Sequence, residues 1–87
     1  MVHYKEKIKY VLITGCSSGI GYETARYLKN KKLNIIASCR KKNDVKRLSK
    51  EFDHSIHLDV SSSKNINKAF FAIKKIIKNN IIYGIFC

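Results

Sequence analysis

The stretch that decides the fold is Thr14-Gly15-Cys16-Ser17-Ser18-Gly19-Ile20-Gly21. It follows the apolar run Tyr10-Val11-Leu12-Ile13, which is typical of a strand, and it opens a segment with helical spacing. Three glycines therefore stand where a strand turns sharply into a helix. Because such a turn directs backbone N–H groups and the positive end of the helix dipole toward an anion, the stretch predicts a binding site for a diphosphate.

Outward from this loop, strand and helix patterns alternate along the whole chain. We predict strands over 9–14, 33–39, 55–58 and from 81 onward, and helices over 18–29, 43–52 and 62–78. The strands are nearly continuous apolar runs, which indicates a parallel sheet covered on both faces. With right-handed crossovers, the order β-α-β-α-β-α-β predicts an α/β fold, the N-terminal half of a Rossmann-type doubly wound parallel sheet with strand order 3-2-1-4.

Two details of the helices can also be predicted. Asn30 is a candidate for a left-handed residue that ends the first helix. On the third helix, Phe71 points toward the lysine side, whereas six apolar residues share the face expected to lie on the sheet. Those six are Ile66, Ala69, Phe70, Ile73, Ile76 and Ile77.

Length and composition limit the class of protein. Eighty-seven residues make one domain at most, and hydrophobic residues at 45% are enough for a globular core. No apolar run approaches the roughly 20 residues of a membrane span, and the N-terminus lacks a secretory pattern. We therefore expect a cytoplasmic protein of a single domain without a membrane segment.

The net charge is +12, from 18 Lys and Arg against 6 Asp and Glu. Such a charge suggests nucleic acid as a partner. However, the lysines are spread along the whole chain, and no block of five or more like charges occurs. We keep nucleic-acid binding as an alternative and do not expect it to be the primary function.

Cysteine and histidine residues do not form a recognisable metal motif. The cysteines Cys16, Cys39 and Cys87 are odd in number and have no metal-type spacing, so we expect small buried thiols. His54 and His57 lie close in sequence, but no other ligand cluster accompanies them. We therefore predict no metal site.

The glycine spacing is G-x-x-x-G-x-G rather than G-x-G-x-x-G, since position 24 is Thr. Thr-Gly-x-x-x-Gly-Ile-Gly after the first strand resembles the cofactor motif of the short-chain dehydrogenase/reductase family. Leu58-Asp59-Val60 is similar to that family's acidic-apolar pair beside the adenine, and Ser38-Cys39-Arg40-Lys41 resembles a bacterial subgroup of uncharacterised oxidoreductases. The resemblance covers about residues 9–87 and implies NAD(P)(H) as the cofactor. It also implies that residues 1–87 form an incomplete NAD(P)-binding Rossmann domain.

The candidate cofactor-binding residues of the loop are Gly15, Ser17, Ser18, Gly19, Ile20 and Gly21. We expect Gly15 to permit the tight turn, Gly19 to leave room for the diphosphate, and Gly21 to let the helix approach the sheet. The isoleucine would contribute its backbone N–H. Ser17 and Ser18 can hydrogen-bond phosphate or ribose oxygens, although Ser18 could equally act only as a helix cap.

Three further candidates follow the second and third strands. An NAD site usually places an acid after the second strand, but Arg40 stands there, and a guanidinium can hold a 2′-phosphate. We therefore expect NADP rather than NAD, unless Arg40 is only a surface cation. Asp59, with Val60, is expected beside the adenine, and the alternative for Asp59 is to cap the turn before the third helix.

The resemblance also implies catalytic groups that cannot be placed. The family uses a Ser and a Tyr-x-x-x-Lys pair, downstream of an Asn-Asn-Ala-Gly segment that would begin where this chain ends. The segment from Tyr27 to Lys31 matches Tyr-x-x-x-Lys by letters, but it ends the first helix, and we interpret it as chance. We expect a truncated NADP-binding segment that is inactive by itself; a non-catalytic NADP-binding module is the alternative.

The fourth strand is expected to be an exposed apolar edge. It carries Ile81, Ile82, Tyr83, Ile85 and Phe86. An unpaired edge of this kind invites pairing with another strand. We therefore expect a complementing chain or self-association along it.

Overall fold

The structure is a computed structural model that describes residues 8–86. Its strands are β1 (Lys9–Ile13), β2 (Asn34–Cys39), β3 (His54–His57) and β4 (Ile81–Phe86). Its helices are α1 (Gly19–Lys29), α2 (Lys42–Ser49) and α3 (Ser63–Ile77). The predicted order of elements is confirmed, with most bounds within one or two residues. The second helix ends three residues earlier than expected.

The four strands form one sheet in the order β3-β2-β1-β4, with every pair parallel. In register, Leu12 of β1 lies beside Ile36 of β2, and Ala37 of β2 lies beside Ser55 of β3. This is the predicted N-terminal half of a doubly wound sheet. Because the strands are parallel, their carboxyl ends share one edge, where ligands of such folds bind.

Helices cover both faces of the sheet, which explains the continuous apolar strands. On one face, α1 and α2 bury Ala25 and Leu48 against alternate residues of β1 and β2, including Val11 and Ile13. On the other face, α3 packs against the remaining alternate residues of β1 and β2 and against β3. The buried residues of this face, from the strands and from α3, are Tyr10, Leu12, Ile36, Ile56, Ala69 and Ile73. The inward face predicted for α3 is thus confirmed at Ala69 and Ile73.

Two helix predictions were wrong. Phe70, expected on the inward face, is 61% exposed, because the contact with the sheet is centred on Ala69 and Ile73 and the next residue is rotated by about 100°. Asn30 has a right-handed φ of −73°, and the left-handed residue after α1 is Lys32, with φ 63°. The chain needs that conformation to turn back into β2, and it reaches it two residues later than predicted.

The two edges of the sheet are β3 and β4. On β4, the five large apolar residues named above are between 39% and 63% exposed. The edge expected from the sequence is therefore present, as far as residues 8–86 show. Across those residues, we find no helix that combines the length and apolar character needed to cross a membrane. Cys87 lies outside the described residues.

Candidate functional site

A cavity of about 360 Å³ opens where the carboxyl ends of β1, β2 and β3 meet. Each strand is followed by residues that line the cavity. They are Thr14 and Gly15 after β1, Arg40 after β2, and Leu58, Asp59, Val60 and Ser61 after β3. Parallel pairing brings these distant segments together, so the position of the cavity follows directly from the topology.

The loop between β1 and α1 depends on glycine for two different reasons. Gly15 and Gly19 have φ values of 65° and 66°, in the left-handed region that side chains disfavour. Gly21 is required by space, because a Cβ there would lie 2.3 Å from the carbonyl oxygen of Gly15 and 2.9 Å from that of Thr14. The loop can therefore lie directly against the first turn of α1.

The N-terminus of α1 faces this loop without a side-chain cap. Ser18 occupies the N-cap position in an extended conformation, but its side chain makes no capping hydrogen bond. The capping role considered for Ser18 is thus not observed, and its hydroxyl is not used by the helix. The first N–H groups of an α-helix have no partner within the helix, so they are available here to a ligand. Ile20 has a 79% exposed side chain.

Buried groups fix the far side of the loop to the sheet. The N–H of Cys16 donates to the carbonyl of Ser38 (2.9 Å), and the Ser38 hydroxyl donates to the carbonyl of Ile13 (3.0 Å). The Cys16 thiol donates to the same Ile13 carbonyl at 3.1 Å. Burial raises the pKa of Cys16 to about 11, so this thiol stays protonated at neutral pH. Cys16 therefore anchors the loop. Buried thiols were predicted, and Cys16 and Cys39 are both buried.

Arg47 of α2 contacts the outer side of the same loop. Its Nη2 atom donates to the carbonyl oxygen of Ser17 at 2.7 Å and lies 3.5 Å from a carboxylate oxygen of Asp44. Sequence reasoning missed this residue. The i,i+3 spacing to Asp44 is visible in the sequence, but the contact with Ser17 depends on how α2 packs beside α1.

Arg40 and Asp59 are the charged side chains that line the cavity. Oδ1 of Asp59 accepts hydrogen bonds from the N–H (3.0 Å) and the hydroxyl (2.6 Å) of Ser61. These bonds lower the pKa of Asp59, and the nearby Arg40 charge acts in the same direction. The turn-capping role considered for Asp59 is thus present. Its Oδ2 accepts no hydrogen bond from residues 8–86 and remains available.

The structure brings four of the nine predicted site residues, Gly15, Arg40, Asp59 and Val60, into the lining of one cavity. The other five, residues 17–21, form the rest of the loop and the first turn of α1. Sequence reasoning missed Thr14, Leu58 and Ser61 as lining residues. Two of these could have been found from the sequence. Thr14 belongs to the glycine motif, and Ser61 follows Asp59 at the two-residue spacing typical of an Asx turn.

Within the described part of the chain, no tyrosine lines the cavity. Tyr10 is buried under α3, and the Tyr22 hydroxyl donates to Glu51 at 2.7 Å. Tyr27 lies in the last turns of α1, away from the loop that opens this helix, with the Nζ of Lys31 5.1 Å from its ring centroid. The same residues contain no group of three or more His, Cys, Asp or Glu side chains that could hold a metal ion.

The parallel sheet and the glycine loop at its carboxyl edge define a Rossmann-type α/β protein. A sequence model described as short chain dehydrogenase matches residues 9–81. The chain therefore belongs to the short-chain dehydrogenase family, as the sequence predicted, and this family uses a nicotinamide dinucleotide.

Individual relatives support the same assignment. The chain is 40% identical over 78 residues to the Escherichia coli K12 protein named "Uncharacterized oxidoreductase YbbO", a match that covers 90% of this chain and 29% of that protein. It is 34% identical to Retinol dehydrogenase 16 of Rattus norvegicus, and that match covers 88% of this chain and 25% of that protein. It is 32% identical to 3beta-hydroxysteroid dehydrogenase dhs-16 of Caenorhabditis elegans, and that match covers 88% of this chain and 23% of that protein. The chain thus spans less than a third of the length of these relatives.

Proposed function

We propose that the chain binds NADP(H) through its glycine loop and the adjoining cavity, as the cofactor-binding part of an oxidoreductase. This proposal depends on one observation: Gly15 and Arg40 line the same cavity. Gly15 belongs to a loop suited to a diphosphate, and Arg40 is a cation that follows β2. Together they match the two anionic groups of NADP(H).

The loop fits the diphosphate by its backbone. The left-handed glycines and the close approach at Gly21 let the loop lie against the first turn of α1, whose N–H groups have no partner within the helix and can bind an anion. Ser17 and Ser18 stand at the same place with hydroxyls that can donate to phosphate or ribose oxygens. Ile20 contributes its N–H, since its exposed side chain has no part in the loop.

The residue after β2 favours NADP(H) over NAD(H). An acid at this position would accept the ribose hydroxyls of NAD(H) and repel a 2′-phosphate. Arg40 instead offers a planar set of N–H donors that suits a phosphate. Asp59, the acidic residue that lines the cavity, follows β3 instead, and its Oδ2 is available to the adenine amine. Val60 lies next to Asp59 in the lining of the cavity.

A bound nicotinamide dinucleotide supplies hydride transfer to or from a carbonyl or alcohol. This chain's residues would hold the adenosine and diphosphate parts, but no tyrosine among residues 8–86 lines the cavity to move a proton. We therefore infer that residues 1–87 bind the dinucleotide as an incomplete Rossmann domain without turnover by themselves. A non-catalytic NADP(H)-binding module would share the same site.

The exposed edge of β4 supports one further part of this proposal. We infer that a further strand pairs there, from a complementing chain or from a second copy, since exposed apolar residues line the edge. We also propose a cytoplasmic location for the protein.

Cofactor titration tests the proposal. We expect wild type to bind NADPH more tightly than NADH, and Arg40→Ala to lose about thirty-fold in NADPH affinity, since a charge-assisted contact contributes about 2 kcal/mol. NADH affinity should change less than about three-fold. Lys75→Ala, which removes the same charge from α3 away from the cavity, is the matched control. Equal losses for both cofactors, or none, would refute the role of Arg40.

A further inference from the structure

The ring of His57 connects two parts of the site that the proposed function uses. Its Nε2 lies 2.8 Å from the carbonyl oxygen of Arg40, and its Nδ1 lies 2.9 Å from the amide Nδ2 of Asn65. A carbonyl oxygen only accepts, so Nε2 must carry a proton. An amide nitrogen only donates, so Nδ1 must be bare. The neighbours therefore fix the neutral ring in its Nε2–H form.

The orientation of the Asn65 amide is fixed as well. Its Oδ1 accepts the backbone N–H of Asp59, and its Nδ2 also donates to the carbonyl of His57 at 3.2 Å. Flipping the amide would lose both bonds and the bond to the ring. The first turn of α3 holds Asn65 in place, because its N–H donates to the Ser62 hydroxyl at 3.2 Å.

These bonds form a continuous connection from Arg40 through His57 and Asn65 to the backbone of Asp59. We propose that His57 and Asn65 are positioning residues that hold Arg40 and Asp59 at the spacing needed by the 2′-phosphate and the adenine of NADP(H). This inference rests on the proposed function, because it assigns a purpose to the two residues that line the cavity. His57 acts more directly on Arg40, and Asn65 on Asp59.

The first test needs no cofactor. Long-range ¹H–¹⁵N spectra of the labelled protein at neutral pH report which ring nitrogen of each histidine carries the proton. We expect His57 in the Nε2–H form. A Nδ1–H form would overturn the inference whatever the dinucleotide affinity.

The second test measures NADPH and NADH affinities of variants. His57→Phe keeps a planar ring without polar atoms, and we expect it to lower NADPH affinity about five-fold, by the loss of one positioning hydrogen bond, and NADH affinity less. His57→Gln retains a donor for the Arg40 carbonyl and should restore part of the loss. His54→Phe is the control, since His54 lies on the same strand and its ring lies tilted beside that of Tyr10, with centroids 5.9 Å apart.

The outcomes separate the two claims. If wild type binds NADPH and His57→Phe keeps the wild-type ratio of NADPH to NADH affinity, the positioning role is wrong and the proposed function stands. If His54→Phe lowers the ratio as much as His57→Phe does, the effect is structural and the inference also fails. If wild type binds neither dinucleotide, both claims fall together.

Discussion

Gly21→Ala should disrupt the site by steric overlap with the backbone. The added Cβ would lie 2.3 Å from the Gly15 carbonyl oxygen, 2.8 Å from its carbon and 2.9 Å from the Thr14 carbonyl oxygen. Relief of that overlap needs a shift of about 1 Å between α1 and the loop. Overpacking costs typically 1–3 kcal/mol, and backbone atoms yield less than side chains, so we expect a loss of about 3 kcal/mol in the free energy of unfolding.

Denaturant unfolding followed by circular dichroism measures this loss. Gly84→Ala is the matched control, because a Cβ at Gly84 meets no atom within 4 Å, and alanine in a strand should leave stability unchanged or raise it by about 0.5 kcal/mol. Gly15→Ala should fall between them at about 1 kcal/mol, from the left-handed φ alone. A Gly21→Ala protein within about 0.5 kcal/mol of wild type would refute the reasoning.

Three further outcomes are expected. Burial raises the pKa of Cys16 to about 11, so alkylation of this thiol should be at least about ten-fold slower in the folded protein than in denaturant. Timed alkylation followed by mass spectrometry measures the two rates, and equal rates would contradict the burial of Cys16. Ile85→Lys, on the exposed edge of β4, should reduce concentration-dependent association in sedimentation velocity; wild type that stays monomeric and unfolds cooperatively at every concentration would oppose edge pairing. Hydrogen bonds from Ser61 hold the folded-state pKa of Asp59 below the ordinary 3.8, so the stability they contribute is present above pH 3.8 and is lost as the pH falls through the lower folded-state pKa. Ser61→Ala should therefore flatten the acid side of a curve of unfolding free energy against pH. A curve unchanged by Ser61→Ala would exclude these hydrogen bonds as the cause of the acid dependence.

The sequence predicted most of the fold because its signals are local. Continuous apolar runs mark β1 and β2 as covered on both faces, and the parallel order then follows from the right-handed crossovers through the helices. The inward face of α3 was less predictable. Phe70 and Ile66 share an apolar arc with Ala69, but only the packed sheet decides which part of the arc is covered, and Phe70 lies outside it. The left-handed turn at Lys32 had no compositional signal.

The candidate site was predicted in outline, but the residues that hold its parts in position were not. The glycines could be read from spacing, since each is required by a left-handed φ or by close approach to a neighbouring backbone. The roles of Arg47 and Asn65 could not, because each depends on contacts between elements distant in sequence. His57 was considered only as a possible metal ligand. Its bond to the Arg40 carbonyl exists because β2 and β3 end side by side.

The central claim is that the backbone from Gly15 to Gly21 receives the diphosphate of a dinucleotide. A crystal structure of the protein grown with NADP⁺ tests it most directly. We predict diphosphate oxygens within hydrogen-bond distance of N–H groups in this segment, with the 2′-phosphate at the Arg40 guanidinium. Dinucleotide bound elsewhere on the protein, with the glycine loop making no contact with it, would contradict the account.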